Sequence, residues 1–143
     1  MTVKPIPDGY HTITPYLIVQ GVRELLDFLR AVFDAEVGDC LEGEDDKVNH
    51  AEVQIGDSKL MLGEARPDWP AQPGSLYLYL PDVDSTYQKA LDAGATSVME
   101  PADQFYGDRN AGVKDAQGNV WWLATHIEDV PPEELQRRAA QRQ

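Results

Sequence analysis

A weak internal repeat limits what this chain can fold into. Residues 12–19 (TITPYLIV) and 73–80 (PGSLYLYL) both alternate polar and apolar side chains, and both run into a helical pattern. Aligning Val19 with Leu80, an offset of 61 (80 − 19), also brings Thr14 onto Ser75, Val22 onto Val83 and Leu29 onto Ala90. Identity between the halves is low, but the pattern agrees. A chain built from two copies of one strand–helix–strands unit is expected to place its ligand between the copies.

The rest of the chain fills in that unit. Over 12–19, Thr12, Thr14 and Tyr16 fall on one strand face and Ile13, Leu17 and Val19 on the other. Residues 22–34 place Val22, Leu25, Leu26, Leu29, Val32 and Phe33 on one helical stripe. Strands are predicted over 36–42, 47–55 and 59–63, with Gly56-Asp57 as a hairpin turn. Pro67, Pro70, Pro73 and Gly74 make 65–74 a connector. The second copy reads as a strand at 75–81 and a helix around 84–93, which Asp82 or Asp84 caps and Gly94 ends. Strands follow at 95–99, 111–115 and 119–126, with 100–110 as a polar loop. Acidic Glu133 and Glu134 ahead of basic Arg137 and Arg138 suit a short C-terminal helix.

The predicted fold is α+β: two consecutive βαβββ modules forming a cupped, mostly antiparallel sheet with helices outside. Module one covers about 11–64 and module two about 75–126. The connector at 65–74 joins them, a helical tail covers 127–143, and the whole is one domain.

Composition narrows the partners. With 143 residues the chain is long enough to bury a core. The net charge of −13 argues against nucleic acid and anionic membrane surfaces and is compatible with a cationic ligand, although acidity also serves solubility. No apolar run approaches the roughly 20 residues of a membrane span. The opening MTVKPIPDGYHT has no apolar segment of the secretory kind. Cys40 is the only cysteine, which excludes an internal disulfide and fits a cytoplasmic location.

Several local motifs accompany the repeat: Thr14-Pro15-Tyr16-Leu17, His50-Ala51-Glu52, Asp82-Val83-Asp84 and Tyr106-Gly107-Asp108-Arg109. Asp115 with Gly118-Asn119 precedes Trp121-Trp122, and Thr125-His126 precedes Glu128-Asp129. With two βαβββ units these motifs resemble the glyoxalase/bleomycin-resistance/dioxygenase (vicinal oxygen chelate) superfamily, more closely its PhnB-like branch, over roughly residues 11–126. The resemblance implies a cavity lined by one sheet face. In metal-dependent members it implies four ligands, from the first and last strand of each unit. Those positions map here to Thr14, Met61, Ser75 and Trp122. A hydroxyl, a thioether and an indole N–H are not normal donors for Zn, Ni, Fe or Mn. No metal and no cofactor are therefore expected. The remaining candidates are His11, His50, His126, Glu52 and Glu64, of which His50 and Glu52 share one strand face.

Strand parity puts Thr14, Tyr16, Ser75, Tyr77, Tyr79, Trp122 and His126 on the cavity face, with Met61 as a gap-filler. Such a surface suits flat or cationic organic ligands, and it equally suits aromatics that simply fill the cup. Arg109 is a candidate clamp for an anionic group, or one half of an internal ion pair, and Asp108 a base or that arginine's partner. Cys40 lacks a neighbouring basic motif, and no phosphate-cradling glycine loop appears.

The expected function is binding of a small aromatic or cationic molecule by Thr14, Tyr16, Met61, Ser75, Tyr77, Tyr79, Arg109, Trp122 and His126, in a homodimer. The alternatives are a metal-independent enzyme of the lyase or isomerase type using Tyr106, Asp108, Arg109 or His126, a metal-dependent lyase or dioxygenase, and an interaction module with a filled cup.

Overall fold

The computed structural model describes residues 2–142. The first helix forms because its apolar residues recur on one side, and the strands follow it in the order that the repeat predicts. The first unit contains β1 (Tyr16–Val19), α1 (Val22–Phe33), β2 (Glu36–Glu42), β3 (Val48–Ile55) and β4 (Ser58–Glu64). The second contains β5 (Ser75–Tyr79), α2 (Val83–Asp92), β6 (Thr96–Asp103), β7 (Asp108–Lys114), β8 (Val120–His126) and α3 (Pro132–Ala140). The chain divides into two compact units between Gly74 and Ser75. Among the described residues, no helix is long and apolar enough to cross a membrane.

Each unit carries its own four-stranded mixed sheet, ordered β1-β4-β3-β2 in the first and β5-β8-β7-β6 in the second. The first strand of each unit pairs parallel with the last, and the other pairs are antiparallel. In the first unit, α1 buries Val22, Leu25, Leu26, Phe28, Leu29, Val32 and Phe33, and Val19, Val53 and Leu62 of the sheet are fully buried. Asp34 ends the helix in the left-handed conformation, at φ 55°. In the second unit, Asp82 accepts a hydrogen bond from the Ser85 backbone N–H at 3.2 Å, and Val83 and Ala90 are buried together with Val113, Trp121 and Leu123 of the sheet.

Two element boundaries differ from the sequence expectation, and proline explains part of both. The first strand begins at Tyr16 rather than residue 12. Pro15 has no N–H to donate, although its carbonyl accepts from the Met61 N–H at 2.9 Å, and Ile13, expected on the core face, is 84% exposed. Residues 100–110 are not one polar loop. β6 runs through Pro101 to Asp103, and β7 starts at Asp108. An outer strand tolerates Pro101, and the register against β7 shifts between Met99 and Ala102 to accommodate it.

Candidate functional site

Strand register gathers the chemically active side chains of the second unit on one sheet face. Tyr77 pairs with Trp122 and Tyr79 with Ala124 across β5 and β8. Gly112 pairs with Trp122, Asn110 with Ala124 and Asp108 with His126 across β7 and β8. Since side chains alternate along a strand, Ser75, Tyr77, Tyr79, Asp108, Asn110, Trp122 and His126 share a face. The other face meets α2: Thr125 Oγ1 accepts from the Val83 N–H there at 3.1 Å.

The face is organised around one carboxylate. Asp108, only 4% exposed, accepts at Oδ2 from the Tyr77 hydroxyl at 2.7 Å and the Tyr79 hydroxyl at 3.0 Å. Its Oδ1 lies 2.9 Å from Nδ1 of His126, whose Nε2 lies 2.7 Å from Asp129 Oδ1. Carboxylates face both ring nitrogens, an arrangement that favours a proton on each and so the imidazolium form. Asn110 donates to the Tyr77 hydroxyl at 3.1 Å and to the Tyr106 hydroxyl at 2.6 Å. Tyr77 and Tyr79 cover this network yet remain 43% and 64% exposed. Trp122 lies flat over Gly112, where a Cβ would come within 2.7 Å of the indole, and its N–H donates to Ser75 Oγ at 3.1 Å.

Burial opposes ionisation of Asp108, but the hydrogen bonds from Tyr77, His126 and Tyr79 outweigh it and hold its pKa below the usual carboxylate value. The bonds to Asp108 and Asp129 raise that of His126. The Tyr79 phenol is pushed up by its bond to Asp108 and then by burial; for Tyr77 burial is the larger cause. The contribution of His126 to stability is therefore complete below its unfolded value of 6.5 and is lost as pH rises through the raised folded value. That of Asp108 is present above 3.8 and is lost as pH falls through its lowered folded value. An NMR titration should place the His126 midpoint above 6.5, and Asp129→Asn should bring it down. A midpoint at or below 6.5 in the unsubstituted chain contradicts the network.

In the first unit, Tyr16, Ile18, His50, Glu52, Met61 and Gly63 share the corresponding face. Tyr16 lies over Gly63, where a Cβ would come 2.7 Å from its hydroxyl, and that hydroxyl is 3.5 Å from His50 Nδ1. The repeat extends to this detail: Tyr16 corresponds to Tyr77 and His50 to Asn110, each pair linked through the phenol. The offset drops from 61 (77 − 16) to 60 (110 − 50) because the β7–β8 turn is one residue longer than the β3–β4 turn.

Several expected site residues lie elsewhere. Thr14 precedes β1 rather than lying within it, and His11 is exposed ahead of it. Arg109 does not join His126. It sits on the opposite strand parity, donating from Nε and Nη2 to Asp84 and from Nη1 to Asp103, each at 3.0 Å. Asp108 is accordingly not its partner. Glu64 accepts from the Gly21 N–H at 3.0 Å and the Val22 N–H at 3.0 Å, so its carboxylate caps α1. Asn110 was not singled out from the sequence, although the period-2 pattern Asp108, Asn110, Gly112 marks it, and Asp129 was read only as part of the motif after His126, not as a site residue.

The four positions that the resemblance assigns to a metal do not fit one. Trp122 can only donate and is engaged with Ser75 Oγ, Met61 offers a thioether, and Thr14 is outside the strand. Among the described residues, no cluster of three or more His, Cys, Asp or Glu side chains is arranged to hold an ion.

The fold has known counterparts. Over 135 residues the chain is 32% identical to an uncharacterized protein of Mycobacterium bovis, which spans 87% of this chain and 89% of that one. Solved structures of similar fold include FosX, a genomically encoded fosfomycin resistance protein from Listeria monocytogenes, at TM-score 0.65 and 15% identity, covering 87% of this chain and 97% of that one. The PhnB protein from Bacillus cereus is similar at TM-score 0.61 and 16% identity, covering 80% of this chain and 99% of that one. These two likenesses speak to fold alone. The family model described as Glyoxalase/Bleomycin resistance protein/Dioxygenase superfamily matches residues 9–123, and the chain belongs to that superfamily.

Proposed function

We propose that the chain binds a small aromatic or cationic organic molecule on the helix-free face of its second unit, using side chains rather than a bound metal. The observation that carries this reading is the pair of tyrosines, 43% and 64% exposed, held in place by the buried Asp108 carboxylate. Large aromatics that only filled space would be expected to bury their rings; these expose them while their hydroxyls are fixed, which pre-organises a stacking surface. The Tyr77 and Tyr79 rings lie 5.4 Å apart, tilted by 64°, and His126 stands edge-on to Tyr79 at 6.5 Å. Trp122 adds an indole along the same face. With His126 protonated, two carboxylates and one imidazolium leave the cluster with one net negative charge, and the chain's −13 raises the local concentration of cations. Binding is favoured over proton transfer because His126 has no free nitrogen and Asp108 already accepts three bonds.

The test is a fluorescence titration with benzyltrimethylammonium and its neutral and anionic analogues. A stacking contact worth roughly 0.5–2 kcal/mol means that Trp122→Ala weakens binding by roughly two- to thirtyfold. Circular dichroism of the variant separates this loss from misfolding. No saturable change with any member of the panel would contradict the reading.

A further inference from the structure

The Pro-rich connector is folded, and it lines a cavity of the first unit. Arg66 and Trp69 form an isolated antiparallel bridge, with the Arg66 N–H donating to the Trp69 carbonyl at 2.8 Å and the Trp69 N–H to the Arg66 carbonyl at 2.9 Å. Pro67 and Asp68 occupy the two central positions of this turn, where proline pre-sets the backbone. A second bridge, Gln72 to Ile18, ties the connector to the free side of β1. The connector therefore holds Arg66 and Trp69 against the first unit as a fixed edge.

Beside that edge is a cavity of about 550 Å³ lined by Tyr16, Ile18, Asn49, Gly63, Arg66 and Trp69, together with Glu64. The volume suits a small organic molecule. Its chemistry differs from that of the second unit's face. Trp69 is 56% exposed and Tyr16 52%, so both have ring surface to offer. Glu64 is committed to the start of α1. Arg66 is the cationic group, and Asp68 lies 3.7 Å from its Nε. Among the described residues, neither terminal nitrogen of Arg66 has a hydrogen-bond acceptor, whereas Arg109 and Arg138 are doubly engaged. A guanidinium with its fork open, next to two aromatic rings, matches a planar ring that carries a carboxylate.

We infer that this cavity binds an aromatic carboxylate, the carboxylate on Arg66 and the ring against Trp69 and Tyr16. The inference rests on residues of the first unit alone and calls for a ligand opposite in charge to the one proposed for the second unit's face.

The probe is 2-naphthoate, with 2-naphthamide and 2-naphthylmethylammonium as its neutral and cationic counterparts. The indole N–H signals of Trp69 and Trp122 in an amide-correlation NMR spectrum report on the two sites separately. The expected result is a saturable shift of the Trp69 signal with 2-naphthoate. Charge-assisted bonding predicts that Arg66→Gln weakens it by roughly tenfold or more, while 2-naphthamide binds both proteins alike. Arg66 is exposed, so the variant should fold; an unchanged Trp122 signal checks this. The inference is overturned if the Trp69 signal does not saturate with 2-naphthoate, if Arg66→Gln leaves its affinity unchanged, or if the cationic probe binds there as well as the anion. A Trp122 signal indifferent to every cationic or aromatic probe would count against the second-unit reading alone.

Discussion

Asp115→Ala is expected to destabilise the chain by about 3–5 kcal/mol, the largest effect of any single truncation considered. The Asp115 carboxylate, 6% exposed, closes the β7–β8 hairpin from inside. Its Oδ1 accepts from the backbone N–H groups of Gln117 and Asn119, each at 2.9 Å. Its Oδ2 accepts from the Asn119 side-chain amide at 3.0 Å and the Trp121 indole at 2.8 Å. Asn119 and Trp121 are 1% and 0% exposed, so water cannot readily replace the lost acceptor. Each buried donor left without it costs about 1–3 kcal/mol, so even the low end of that figure for the three buried donors reaches about 3 kcal/mol. Urea unfolding measures the loss, read as a lower midpoint at an unchanged slope. A loss below about 1 kcal/mol would contradict this account of the hairpin.

Gly107→Ala is expected to cost roughly 2–4 kcal/mol and to disturb the candidate site as well. Gly107 has φ 97°, in the left-handed region that disfavours a side chain. A Cβ there would be driven into the Glu128 carbonyl oxygen and would come 3.2 Å from Val130 Cγ2. The Gly107 carbonyl accepts from the Ile127 N–H at 2.8 Å and the Glu128 N–H at 3.1 Å, so this backbone crossing has little room to yield. It also fixes the spacing between Asp108 on one side and His126 and Asp129 on the other. The substitution should therefore lower the His126 titration midpoint along with the unfolding midpoint. A stable variant with an unchanged imidazole titration would show that the crossing does not position the cluster.

What could be read in the sequence was what rests on periodicity. The alternation around Tyr77, Tyr79 and Trp122 placed those aromatics together because a strand gives each residue only two choices of face. The stripe of Leu25, Leu26 and Leu29 marked α1 for a similar reason. Asp108 and Asn110 read as part of a loop because polar side chains on the open face of β7 break the apolar alternation of a strand, and β7 then seemed to start at residue 111. That late start also hid the parity that sends Arg109 toward Asp84 and Asp103. Glu64 read as a possible ligand because helix capping across 43 residues of chain leaves no local signal. The connector read as structureless, since three prolines signal a break without saying where Arg66 and Trp69 will be held.

On this reading the exposed aromatic face of the second unit receives a ligand. Crystals soaked with the tightest-binding cation of the fluorescence panel test it most directly. Density is expected for the ligand stacked on Tyr77, Tyr79 and Trp122, with the bonds of Asp108 to Tyr77, Tyr79 and His126 intact. A saturated crystal in which that face is bare, or is covered by protein side chains that leave no space for a ligand, would contradict it.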